Sequence, residues 1–150
     1  MIIIAKAMSA IPKSSTKLIV DRGSLITLPK HTQWTICFLD KATGRVIGNS
    51  GLHRIDWTIP KFEIGYWCRT SETSKGYVTE VVRGLTKLCF EKLNAARVEI
   101  RCDDLNVKSA AVAERCGFKL EGVLKNDERN TKGELRTTRI YGLTSLEDLK

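Results

Sequence analysis

Between Phe62 and Leu93 the apolar residues change period, and that change restricts the fold more than any other feature of the chain. Phe62, Ile64 and Tyr66 alternate with Glu63, Gly65 and Trp67, the two-residue repeat of a strand with two distinct faces. From Val78 the repeat lengthens. Val78, Val81, Val82, Leu85, Leu88, Cys89 and Leu93 form a stripe at helical spacing, with Thr79, Arg83, Lys87 and Lys92 largely outside it, and the helix should stop near Asn94. Residues 97–102 return to alternation, with Val98, Ile100 and Cys102 on one face. Asn106 can cap a second helix that runs to Cys116, with Gly117 as its left-handed stop. A strand over 118–124, a polar loop over 125–133 and a last strand over 136–143 complete this half.

Upstream, residues 35–39 and 45–52 flank the turn chemistry of Lys41-Ala-Thr-Gly44 and read as a β-hairpin, followed by a loop carrying His53, Asp56 and Pro60. No helix of useful length is visible in residues 1–34. The order β, β, β, α, β, α, β, β has no internal repeat and no linker, so residues 1–150 are expected to form one mixed α/β (α+β) domain.

Composition narrows the class. With 42% apolar and 28% charged residues, disordered and fibrous chains are excluded. No apolar run approaches the roughly 20 residues that span a bilayer. The apolar patch 1–5 is closed by Lys6, too short for a secretory core of about 7 to 15 residues. A cytoplasmic protein with no membrane partner is expected. Cys37, Cys68, Cys89, Cys102 and Cys116 are odd in number, form no CxxC pair and have no histidine at a zinc spacing, which fits free thiols and no metal. The net charge of +8 calls for an anionic partner, and nucleic acid, a phosphate-bearing cofactor and an acidic substrate all satisfy it.

The stretch with chemistry runs from Glu63 to Glu80: a strand, a small polar loop, then a helix start. Such a loop leaves backbone N–H groups unpaired at the positive end of a helix, where phosphate oxygens bind, and Lys75 adds a point charge. A plain βα connection with a helix cap reads equally well. Neither the GxxxxGK[ST] spacing nor a GxGxxG fingerprint is present.

Taken in order, Phe62-Glu-Ile-Gly-Tyr-Trp67, Ser74-Lys-Gly-Tyr-Val-Thr-Glu80, Asn106-Val-Lys-Ser109, Arg115-Cys-Gly-Phe118 and Glu121-Gly-Val-Leu124 resemble the GNAT superfamily of N-acetyltransferases, and within it the RimJ/RimL-like branch that acetylates protein N-termini and other primary amines. The likeness covers residues 35–143. It implies a mostly antiparallel sheet splayed between its fourth and fifth strands, with acetyl-CoA as cosubstrate in the splay. It further implies that the backbone of Trp67, Cys68 and Arg69 pairs with the pantetheine arm, and that the loop Ser74, Lys75, Gly76, Tyr77 and Val78 wraps the pyrophosphate. Asn106 would lie beside the pantetheine.

Direct attack of an amine on a thioester needs a base for the ammonium and an acid for the departing thiolate. Glu63 is the candidate base, directly or through a water, though a salt-bridged strand glutamate fits the same residues. Ser109 is the candidate acid, against a serine that only bonds backbone at a helix start. A tyrosine near the end of this helix does that work in many relatives, and Ala113 stands at its place.

The chain departs from the family pattern in two places. Ser71 and Ser74 replace the usual Arg or Gln and the first Gly of the phosphate loop, and a serine there would resist a positive φ at a cost of order 1 kcal/mol. Relatives also open with a strand and two helices that wall the acceptor pocket, whereas only a short, poorly patterned segment precedes Thr35, so that wall should be shortened or replaced. The acceptor follows the family: a protein N-terminal amine, a ribosomal protein among the options, or another primary amine. A sheet edge left open would favour a homodimer. A catalytically weakened acyl-CoA-binding or regulatory module, and a basic RNA-associated domain, are the alternatives in other classes. His53 is read as a loop histidine, Trp34, Trp57 and Trp67 as core or loop packing, and Lys125, Arg129 and Lys132 as solvated surface.

Overall fold

The Asp40 carboxylate starts the first hairpin. In the computed structural model, which describes residues 2–4, 33–40 and 42–150, it accepts the Ala42 and Thr43 N–H groups at 3.1 and 2.8 Å and the Thr43 hydroxyl at 2.7 Å. Gly44 supplies the left-handed φ of +68° that completes the turn. The strands so joined are β2 (Trp34–Asp40) and β3 (Val46–Asp56), with β1 (Ile2–Ile4) antiparallel to β2 on its other side. Next come β4 (Lys61–Cys68), α1 (Tyr77–Leu93), β5 (Arg97–Asp103), α2 (Val107–Arg115), β6 (Lys119–Arg129) and β7 (Leu135–Leu143). They make a seven-stranded sheet in the order β1-β2-β3-β4-β5-β7-β6.

All neighbours are antiparallel except β4 and β5, whose parallel contact is carried by α1 as the crossover. That contact is short. Lys61, Phe62 and Glu63 oppose Arg97, Val98 and Glu99, and beyond them the two strands separate. This is the splay that the family resemblance implies, in the mixed α+β architecture expected.

One face of the sheet carries the core. Phe62 and Ile64 of β4, Leu52 of β3, Val98 and Ile100 of β5 and Tyr141 of β7 are buried with Val81, Val82, Leu85 and Cys89 of α1 and Ala110, Val112 and Ala113 of α2. These are the apolar stripes that both periods mark out, and removing this much carbon from water at roughly 25 cal/mol per Å² is the main drive to fold. Gly117 ends the α2 segment at φ +92° and Asn94 ends α1 at φ +52°, as their positions suggest.

Two expectations need correction. Residues 125–129 belong to β6 and not to a loop, because pairing continues through bulges after Leu120 and Leu124 until Glu128 and Arg129 oppose Arg136 and Leu135; ladder hydrogen bonds override the polar composition. His53 and Asp56 lie on β3, with His53 opposite Glu63, and not in a loop. Apart from β1, Gln33 and Trp34, the expectation about residues 1–34 and the acceptor wall falls outside the described residues. The five cysteines are unbridged, with Cys89, Cys102 and Cys116 buried.

Candidate active site

The splay exposes one edge of β4. Arg69 N–H donates to the Ile47 carbonyl at 2.9 Å, which fixes the alternation of the β3–β4 ladder: the backbone groups of Trp67 and Gly65 turn toward β3, and those of Cys68 and Tyr66 turn toward the gap. An extended amide-bearing ligand in that gap therefore meets the main chain of Tyr66 and Cys68. Of the three residues singled out for this contact, Cys68 presents its backbone to the gap, while Arg69 is spent on β3.

The gap widens into a cavity of about 620 Å³ lined by Tyr66, Trp67 and Cys68 from β4, by the loop into α1, and by α2. Ser74, Gly76, Tyr77 and Val78 line it on the loop side, and Asn106 and Ser109 on the α2 side. Glu63, Arg69 and Lys75 do not. Trp67, read from the sequence as packing, is 55% exposed at this rim.

The loop adopts its shape by backbone strain. Ser74 sits at φ +64° and Gly76 at φ +83°, the latter as the N-cap of α1 with no side-chain cap. Glu80 N–H is the first to bond back, to the Gly76 carbonyl at 3.0 Å. The earlier N–H groups of the helix have no intrahelical acceptor and lie at its positive end, an arrangement suited to phosphate oxygens. Lys75 is engaged by the protein itself: its Nζ is 2.9 Å from Oε2 of Glu72, a buried carboxylate that lines the cavity and also pairs with Arg45. The Lys75 hydrogen bond holds the Glu72 carboxyl below its ordinary range.

Across the splay, Asn106 caps α2 by accepting the Ser109 N–H at 3.1 Å, and the Tyr66 hydroxyl donates to the Ser109 carbonyl at 3.1 Å. The main-chain groups of Ser109 are thus committed, and the residue lines the cavity with its hydroxyl still available for chemistry. The place of Tyr66 in the β4 alternation marks it as core and hides it in the sequence; burial pushes its phenol well above the usual range, so it stays protonated and donates to Ser109.

Glu63 lies at the vertex of the splay, the last residue of β4 to oppose β5, on the sheet face away from the helices. Its side chain is 16% exposed, with Oε2 3.3 Å from Nη1 of Arg54 and 3.6 Å from Nε of Arg101, yet without a hydrogen bond. Burial raises its carboxyl above the ordinary value, against the opposing pull of Arg54 and Arg101. Arg54 also reaches Oε1 of Glu128 at 2.8 Å, and Glu128 pairs with Arg136. Neither Arg54 nor Glu128 stands out in the sequence: Arg54 reaches Glu63 from the neighbouring strand through a left-handed backbone at the β3–β4 register break, and Glu128 reaches Arg54 from β6, far along the chain. Among the described residues no three His, Cys, Asp or Glu side chains are grouped to hold a metal ion.

A sheet parted at a short parallel contact, with an open strand edge and an uncapped helix start on one side of the gap and a serine on the other, is the splayed arrangement of the N-acetyltransferase fold. The acetyltransferase (GNAT) domain family matches residues 12–119, and the chain belongs to that family, in its RimJ/RimL-like branch. Among curated proteins it is 42% identical over 79 residues to "Putative ribosomal N-acetyltransferase YdaF" of Bacillus subtilis, covering 53% of this chain and 43% of that one. It is 34% identical over 83 residues to the ribosomal-protein-serine acetyltransferase of Escherichia coli, covering 55% and 46%. The chain thus spans less than half of either relative. Among solved structures, the microcin self-immunity acetyltransferase MccE, in complex with acetyl-CoA and AMP, superimposes with a TM-score of 0.71 at 30% identity, over 76% of this chain and 62% of that one.

Proposed function

We propose that this chain transfers the acetyl group of acetyl-CoA to a primary amine by direct attack in a ternary complex. The observation that carries the reading is the cavity in the splay, which joins the open edge of β4 to the unsatisfied N–H groups of α1 and to Ser109. Cys68 and Tyr66 pair with the pantetheine through their backbones, and Trp67 covers it from the rim. Ser74, Gly76, Tyr77 and Val78 take the pyrophosphate. Asn106 holds Ser109 in place.

The amine nitrogen forms a bond to the acetyl carbon while the carbon–sulfur bond breaks. The ammonium proton goes to Glu63, directly or through a water; the second proton that the nitrogen loses on becoming an amide passes through the Ser109 hydroxyl to the departing thiolate, so that Ser109 ends neutral. Arg69 and Lys75 act indirectly, Arg69 by fixing the β4 edge and Lys75 by neutralising Glu72 beside the loop. The acceptor is a protein N-terminal amine; a peptide beginning with serine is the first to try, since one relative is named for a ribosomal-protein serine.

The full chain, incubated with acetyl-CoA and a panel of peptides and small amines, should release CoA thiol in proportion to acetylated amine. CoA binding seen as thermal stabilisation, with no thiol released from any amine, would assign the chain instead to acyl-CoA binding without transfer. That second reading has one observation in its favour, the left-handed Ser74 at the place where the family pattern has glycine.

A further inference from the structure

Arg54 occupies a place that strand geometry does not give it. On β3, Leu52 points into the core and His53 points to the opposite face, where it opposes Glu63. Regular alternation would return residue 54 to the core side. The β3–β4 register breaks after His53, and Arg54 takes a φ of +43°, a conformation that a residue other than glycine keeps only where its surroundings hold it. The result is that two successive side chains share the outer face, and the Arg54 guanidinium lies between two carboxylates from opposite sides of the splay. Nη1 is 3.3 Å from Oε2 of Glu63, and Nη2 is 2.8 Å from Oε1 of Glu128.

We propose that Arg54 is a positioning residue for amine deprotonation, holding the Glu63 carboxylate as an oriented anion and tying the β6–β7 hairpin to the β4 side of the splay. The inference rests on the reading of Glu63 as the base. Glu63 Oε2 is buried beside both guanidinium groups and makes no hydrogen bond. That oxygen keeps a lone pair for a proton while two cations stand near it.

The other groups around it leave this work to Arg54 and Arg101. From β5, Glu99 is taken by Arg97 at 2.7 Å and lies 3.4 Å from Arg101. From β6, Glu128 shares its charge between Arg54 and Arg136 of β7. From β3, burial lowers the His53 pKa, so its ring stays neutral near pH 7. Both Glu99 and Glu128 repel the Glu63 anion. Burial and these neighbours favour a protonated Glu63, which cannot accept a proton from an ammonium group. Arg54 opposes them.

The test uses the full chain with Arg54→Gln and Arg54→Lys, and reads the Glu63 carboxyl titration by carbon-13 NMR alongside the pH profile of kcat/KM. Arg54→Gln should move both the titration and the acid limb of the profile upward by about one pH unit, as expected when an opposite charge within about 4–6 Å is removed. The KM for acetyl-CoA should not change, and Arg54→Lys should restore most of the shift. A Glu63 titration that stays put in Arg54→Gln overturns the proposal, as does a loss of rate equal at every pH. If Glu63→Gln keeps the acid limb, the base reading fails instead, while the NMR titration still decides whether Arg54 holds Glu63.

Discussion

Ser74 and Gly76 sit two residues apart and meet the same demand, a left-handed backbone, with different side chains. The strain at Ser74 is legible in the sequence, because a serine stands where the family pattern has glycine. At Gly76 a Cβ would meet nothing within 4 Å, so its cost is conformational and not steric. Gly76→Ala is expected to lower stability by about 1–2 kcal/mol, measured by urea denaturation, and to weaken CoA binding by displacing the N–H groups of the loop. Ser109 has its main chain fixed by Asn106 and Tyr66. Ser109→Ala should therefore lower kcat on the order of 10²-fold, the usual worth of one general acid, with CoA affinity unchanged in a thermal-shift titration. A matching loss of CoA affinity would show that the serine binds and does not protonate.

At the scale of elements, α1 and α2 follow their sequence signals closely, since an apolar stripe at helical spacing and a capping asparagine act through neighbours in the chain. Asn106→Ala removes the cap that accepts Ser109 N–H, and a loss of about 1 kcal/mol in unfolding free energy is expected. The same variant should raise the KM for acetyl-CoA, because the first turn of α2 is one wall of the cavity. Strand β6 shows the opposite case. Residues 125–129 carry lysine, asparagine, aspartate, glutamate and arginine and read as a loop, but β7 pairs with Glu128 and Arg129 beyond an irregularity that takes in residues 125–127. The face on which Arg54 appears is hidden from the sequence for a related reason: one left-handed residue reverses the alternation on which that assignment rests.

Over the whole molecule, the carboxylates separate into two groups. The Arg136 and Arg54 hydrogen bonds hold Glu128 below the ordinary glutamate range. Burial works against ionisation of Glu99, but the Arg97 hydrogen bond and charge overrule it and hold that group low as well. A depressed carboxylate contributes stability that is present above its ordinary pKa, about 4.3, and is lost as pH falls through its folded value. The thermal midpoint should accordingly drop below about pH 4. Glu63 has the opposite sign: its folded pKa is raised, so its contribution is lost as pH rises from the ordinary glutamate value through the folded one. Glu63→Gln is expected to keep or raise the thermal midpoint at neutral pH while abolishing turnover, and a large fall in the midpoint would mark Glu63 as structural. The sequence by itself determined the periods of the elements, the helix caps, the polar loop before α1 and the family, because each is written in residues close together along the chain. Only the tertiary structure decided that β4 and β5 part after three residue pairs, that Tyr66 ties β4 to α2, and that Arg54 lies between Glu63 and Glu128. Those contacts join residues distant in sequence, and their geometry comes from sheet twist, bulges and packing that no local pattern encodes.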